Sequence, residues 1–208
     1  MKKTIIFMSF VFCLLSFVIC HLASGEANVI ERIVVRVNDE VIFQSEFEDY
    51  VRIVRAQTGL TEKGDEVKKK ILDQLIEEKI FLQEIEKEGI EVEEDEIKIA
   101  LQNLKDKFPT KEEFNRELIK QGLTVIELQD NLRKQLKILK LIEKNVKRKI
   151  QVTSKEVKEY YFQQKDKIKK SEEEAGDEIR NLLFDRKFND IFTKWVEKLK
   201  KDAVIEIK

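Results

Sequence analysis

The sequence predicts a mostly α-helical protein with one small β-sheet, in which an N-terminal hairpin pairs with a C-terminal strand. Three observations predict it. Four Ser/Thr-x-x-Glu signatures each precede a segment of helical apolar spacing. Strand-like runs occur in the mature chain at two places, 33–43 and 203–207. A single proline, Pro109, and six glycines leave little to interrupt helix over 208 residues.

The first segment reads as an export signal. Lys2 and Lys3 form a positive start, the run from Ile5 to Ile19 is apolar apart from Ser9 and Ser16, and Ala23-Ser24-Gly25 offers the small residues of a cleavage site. The expected cut lies between Gly25 and Glu26. Two alternatives stand beside it: retention as a membrane anchor, and lipidation at Cys20, for which Ile19 is a poor preceding residue. Both cysteines, Cys13 and Cys20, and the one histidine, His21, belong to this segment.

Next comes the expected hairpin. Ile33-Val34-Val35-Arg36-Val37 and Val41-Ile42-Phe43 flank the turn pair Asn38-Asp39. A two-stranded hairpin is marginal alone, so the run Ala203-Val204-Ile205-Glu206-Ile207 is expected to pair with it. The helix starts follow in order: Ser45/Glu48, Asp65 as a single cap, Thr110/Glu113, Thr124/Glu127 and Thr153/Glu156. Gly89 and Gly122 stand where left-handed C-terminal residues belong. Helical stripes agree: Ile97, Leu101, Leu104 and Phe108; Leu128, Leu132, Leu136, Leu139 and Val146; Phe184, Phe188, Phe192, Trp195 and Leu199. Between Tyr161 and Ile179 the pattern lapses into polar residues.

Charge and composition exclude several function classes. Charged residues are 39% of the chain, against about 25% in ordinary domains. Yet 40 basic and 41 acidic residues are interspersed, which argues against a nucleic-acid binder. The densest basic stretch, Lys137, Lys140, Lys144, Lys147, Arg148 and Lys149, reads as the C-terminal end of a helix. The acidic cluster Glu91, Glu93, Glu94, Asp95 and Glu96 reads as a helix N-terminus. Without His or Cys, the mature chain has no material for a Ser–His–Asp triad, a Cys–His pair or an ordinary zinc site. Neither phosphate-loop nor dinucleotide fingerprint occurs. No enzyme activity and no cofactor are expected.

The organisation resembles SurA-type periplasmic chaperones. Ile33 through Phe47, with its strand, the turn Asn38-Asp39-Glu40, the strand Val41-Ile42-Phe43 and the helix start Ser45-Glu46-Phe47, resembles the family's opening. Ile71-Leu72-Asp73-Gln74-Leu75-Ile76 and Gly89-Ile90-Glu91-Val92 resemble its second helix and exit. Ile150-Gln151-Val152-Thr153, Glu156-Val157 and Tyr160-Tyr161 resemble the segment that leads into the parvulin isomerase domain. Arg186-Lys187-Phe188 through Ile205 resembles the closing helix and strand. A parvulin domain needs on the order of 90–100 residues, and only residues 162–176 separate Tyr161 from Asp177.

The resemblance therefore implies a helical chaperone core without the isomerase, acting without ATP. Its implied clients are unfolded secreted or outer-membrane polypeptides, often aromatic-rich, in the periplasm. The expected divisions are a signal peptide at 1–25, a SurA-like helical region at 26–162, a polar linker at 163–177 in place of the parvulin insert, and a helix and strand at 178–208 that complete the core. Client contacts are expected at two aromatic clusters beside breaks in the pattern: Phe108, Pro109 and Phe114, and Tyr160, Tyr161 and Phe162. A competing reading is an anchored or secreted scaffold with one fixed partner.

The signal reading predicts that exported protein begins at Glu26, within a few residues. N-terminal sequencing checks it, and an intact Met1 or a lipid on Cys20 would contradict it.

Overall fold

The computed structural model describes residues 31–58 and 65–208. Strands β1 (Ile33–Val37) and β2 (Glu40–Phe43) form the N-terminal hairpin. Seven α-helices follow among the described residues: α1 (Gln44–Thr58), α2 (Asp65–Glu88), α3 (Glu94–Lys105), α4 (Lys111–Lys120), α5 (Val125–Asn145), α6 (Ser154–Gln163) and α7 (Glu172–Asp202). A 3-10 turn at Lys147–Lys149 sits between α5 and α6, and β3 (Ile205–Ile207) follows α7. The cleavage-site residues Gly25 and Glu26 lie outside the described residues.

The expected sheet is present, with strand order β2-β1-β3 and both pairings antiparallel. Val35 stands opposite Ile42 and Ile207; Val37 stands opposite Glu40 and Ile205. Val35, Val37 and Ile42 are fully buried while Arg36 is exposed, the period-two pattern of a sheet covered on one face. Helices α1 and α2 supply that cover.

Asn38 holds the turn. Its φ of 55° is left-handed, a region that asparagine tolerates better than most side chains. From there its N–H donates to the Val204 carbonyl at 2.8 Å, and its Oδ1 accepts from the Val204 N–H at 2.8 Å. The Asn38 Nδ2 donates to Gln83 Oε1 of α2 at 2.6 Å, and Gln83 Nε2 donates back to the Val37 carbonyl at 3.1 Å. Beside this network Lys79 lies 3.3 Å from Glu40 and 3.5 Å from Glu46. Burial pushes the neighbouring Glu78 carboxyl above its ordinary value, although Lys134 at 3.5 Å acts the other way.

The chain divides into two compact units. One comprises the described residues up to Lys140 together with Ala203–Lys208; the other is Leu141–Asp202. In the first, α3, α4 and α5 enclose a second core of Ile97, Leu101, Phe114, Leu118, Leu128 and Leu132. The acidic start of α3 is tied to α5 by ion pairs: Glu91 to Lys137 at 2.9 Å, Glu94 to Arg133 at 2.8 Å and Glu96 to Lys140 at 2.5 Å. In the second unit, α6 and α7 form a hairpin around Val157, Tyr161, Ala175 and Ile179.

Helix caps separate sequence expectation from outcome. Thr110 accepts from the Glu113 N–H at 3.2 Å, and Thr124/Glu127 and Thr153/Glu156 each close reciprocally. Gly89 and Gly122 adopt φ of 62° and 68°, as their positions demand. Ser45/Glu48 does not cap. Strand β2 runs straight into α1 at Gln44, whose N–H donates to the Arg32 carbonyl at 2.8 Å, so Ser45 lies inside the helix and its hydroxyl donates to Glu31. The structure also places a box at Ser171/Glu174, with the Ser171 N–H donating to Glu174 at 2.9 Å and the Glu174 N–H donating to the Ser171 hydroxyl at 3.3 Å. Residues 172–177, which composition placed in a polar linker, therefore form the first turns of α7.

The α6 cap predicts an acid response. A hydrogen bond from Lys187, joined by those from Thr153, lowers the Glu156 pKa from 4.5 to about 2. A depressed carboxylate stabilises the fold fully above its unfolded value, and that contribution disappears as pH falls through about 2. Glu156→Gln should lower Tm at pH 7, and the gap to the unaltered chain should close between pH 4.5 and about 2. Thermal melts across that range check it; equal Tm at pH 7 would contradict it.

Candidate functional site

A groove opens on one face of α1. Gln44, Phe47, Glu48, Val51 and Arg52 line it at helical spacing, and Lys68 of α2 faces them across a volume of about 390 Å³. That volume falls within the range of ordinary binding pockets and accommodates a large apolar side chain. Val51 is buried and Phe47 half-buried, forming an apolar floor. The rim is charged: Glu48 accepts from Gln44 Nε2 at 2.6 Å, and Arg52 pairs with Asp49.

A second apolar surface lies at the corner between α4 and α5. Gly122 turns the chain, and Leu123 packs into the core below. Ile119 and Ile126 remain outside that core, 77% and 71% exposed, with Val125 partly exposed beside them in sequence. Leu118 and Leu128 of the same two helices are buried, so the exposed isoleucines are apolar groups that the core does not enclose.

The sequence-expected contacts fall into two groups. Phe114 is buried in the α3–α5 core, and Phe108 packs edge-on against it with ring centroids 5.5 Å apart. Tyr161 is buried in the α6–α7 core and donates its hydroxyl to the Lys170 carbonyl at 3.1 Å. Tyr160 is half-buried beneath the Arg186 guanidinium, 5.1 Å from its ring centre. Only Pro109 and Phe162 are exposed, Phe162 to 62%. Phe114 and Tyr161 are thus held by cores, and contact with a partner would require those cores to open.

Sequence reasoning passed over Phe47, Val51, Ile119 and Ile126. Ile119 and Ile126 carried a signal: Ile119 directly follows the core residue Leu118, so it points about 100° away around the helix. An apolar residue beside a stripe rather than on it is one the core does not use.

Among the described residues, no group of three or more His, Cys, Asp or Glu could hold a metal ion. The acidic cluster at α3 is committed to structure: Lys140 and the Glu93 N–H hold the Glu96 carboxyl below its ordinary range. Among the described residues, no helix is long and apolar enough to cross a membrane.

These placements predict a contrast between two substitutions. Phe114→Ala should destabilise the chain by about 3–5 kcal/mol. The double change Ile119→Ser, Ile126→Ser should alter stability by no more than about 0.5 kcal/mol while reducing binding of a hydrophobic dye. Denaturant unfolding and dye fluorescence check both, and a large stability loss in the double variant would mean those isoleucines belong to a core.

The α1 groove and Ile119 lie within the residues that a family model matches, and Ile126 lies just beyond them. A family model described as the SurA-like N-terminal domain matches residues 1–123. Over 159 residues the chain is 27% identical to a chaperone SurA of Hahella chejuensis, covering 73% of this chain and 36% of that relative. Over 161 residues it is 26% identical to a chaperone SurA of Pseudomonas aeruginosa, covering 74% and 38%. It thus spans little more than a third of the length of these curated relatives. A solved SurA-like chaperone of Campylobacter jejuni shares the fold with a TM-score of 0.61 at 16% identity, over 85% of this chain and 98% of that one. With the family match extending over more than half of its residues, the chain belongs to the SurA-like N-terminal domain family.

Proposed function

We propose that this protein is an ATP-independent chaperone of the periplasm, which holds unfolded secreted or outer-membrane polypeptides after its own signal segment is removed. The observation that carries the reading is the set of apolar side chains left exposed at Ile119 and Ile126, together with the α1 groove and its half-buried Phe47, on a SurA-like chain. A binder of unfolded chains acts by mass action: it lowers the free concentration of the aggregation-prone species. Broad apolar contact suits varied clients, because it demands no fixed pattern of polar partners. Aromatic-rich segments fit best, since a groove of this size takes a ring and Phe162 offers another.

The protein works without isomerase chemistry in this reading. The short connection from α6 to α7 stands where the family resemblance calls for a parvulin insert. The chain up to residue 162 and the closing segment 178–208 then make up the chaperone body.

Two measurements test the reading. At stoichiometric amounts the protein should suppress aggregation of an unrelated unfolded protein without ATP. It should leave cis–trans exchange of an X-Pro peptide at its uncatalysed time of tens of seconds. A scaffold with one fixed partner would show no such suppression, and a dose-dependent acceleration of exchange would identify an isomerase.

A further inference from the structure

Strand β3 forms an edge of the sheet among the described residues, with β1 on its inner side. Its register decides where its main-chain groups point. The Asn38 N–H donates to the Val204 carbonyl at 2.8 Å, and the Lys208 N–H donates to the Val34 carbonyl at 2.9 Å. Glu206 stands midway, opposite Arg36. The backbone groups of Val204, Glu206 and Lys208 therefore face β1. In an antiparallel ladder such residues alternate with others whose N–H and C=O point the opposite way. Those others are Ile205 and Ile207, so two donors and two acceptors line the outer edge of β3.

The side chains there are apolar, Ile205 half-buried and Ile207 exposed. Ile205 and Ile207 stand opposite Val37 and Val35, both fully buried, on the same side of the sheet. Yet Ile207 is 69% exposed, and Val204 on the other face is 60% exposed. The opposite edge differs: Ile42 of β2 is buried, and Val41 and Phe43 are half-buried.

We propose that the outer edge of β3 is a polypeptide-binding site, where an extended segment of an unfolded client adds as a fourth strand. Main-chain groups of Ile205 and Ile207 hydrogen-bond the client backbone, and Ile207 packs against its alternate apolar side chains. The inference rests on the chaperone reading above and deepens it, since backbone recognition accepts almost any extended sequence. Such an edge selects for the unfolded state, because a folded client has its backbone groups already paired. A second copy of the chain fits less well. The antiparallel register that would engage both Ile205 and Ile207 of each copy sets Glu206 directly opposite Glu206, and like charges facing each other across a ladder are destabilising.

The test uses a short fluorescent peptide alternating Val and Thr, with anisotropy as the readout. Two N-methylated forms carry the methyl groups on alternate residues in opposite phase. One phase places them at the edge and should weaken binding about tenfold; the other faces away and should be tolerated. Ile207→Pro removes an outward N–H that β1 does not use, so circular dichroism and Tm should be retained while affinity falls by a similar factor. Ile207→Val should bind normally. In hydrogen exchange, the Ile205 and Ile207 amides should become protected when the peptide is added. Equal binding of both N-methylated forms, or unchanged affinity in Ile207→Pro, would overturn the proposal. So would a concentration-dependent dimer that Ile207→Pro abolishes, which would give the edge to a second copy. If aggregation is still suppressed in those cases, the chaperone reading survives and the edge alone is refuted; if the unaltered protein neither binds the peptide nor suppresses aggregation, both fall.

Discussion

The contact on which the sheet depends is the one between Asn38 and Val204, 166 positions apart. Asn38 satisfies both main-chain groups of Val204, one with its own N–H and one with its amide oxygen. Its amide nitrogen reaches Gln83 of α2, which returns a bond to Val37. One short side chain thereby joins the hairpin turn, the longest helix of the first unit and the start of β3. Left-handed backbone at this position is what aims the three groups in three directions. A residue that avoided this conformation would have to bend the turn, and the register of β1 against β3 would lose its stop.

Closing a ladder over so many residues carries an entropic cost that grows slowly with loop length, so the pairing needs support from packing. The support comes from Val35, Val37 and Ile42, all fully buried under α1 and α2. At the same time β3 is short, and its side chains Ile205 and Ile207 are progressively less covered than the valines opposite them. The sheet is thus firm at β1 and open at β3. Stability and availability sit within one strand spacing of each other.

A similar division runs through the helices. The α3–α5 core consumes the residues on the stripes, and the ion pairs from Glu91, Glu94 and Glu96 to α5 hold its outer layer. Exposed pairs of this kind each contribute little, but three along one helix contact fix its orientation. What remains unspent is apolar and lies at ends and corners: Phe47 in its groove, Ile119 and Ile126 beside Gly122, and Phe162 after Tyr161.

Much of this was legible in the residues alone, because the signals were local. A Thr followed three residues later by Glu satisfies backbone groups within one turn, so Thr124 and Thr153 behave as their spacing says. Gly89 and Gly122 likewise answer to a conformation that only the adjacent chain imposes. Ser171/Glu174 carried the same signature, obscured by the polar run around it, and it moves the start of α7 to Glu172. Ser45/Glu48 carried it too and does not cap, since a strand that enters a helix without a break leaves no cap position to fill. The aromatic clusters show the limit most plainly. Phe114 and Phe162 look alike as residues beside a break, yet one is 3% exposed and the other 62%. Burial depends on which distant elements close over a side chain, and helical period cannot supply that information. Local spacing carries helix, turn and strand, whereas burial depends on distant elements, and so the fold alone sorts the apolar groups into those the cores enclose and those left exposed.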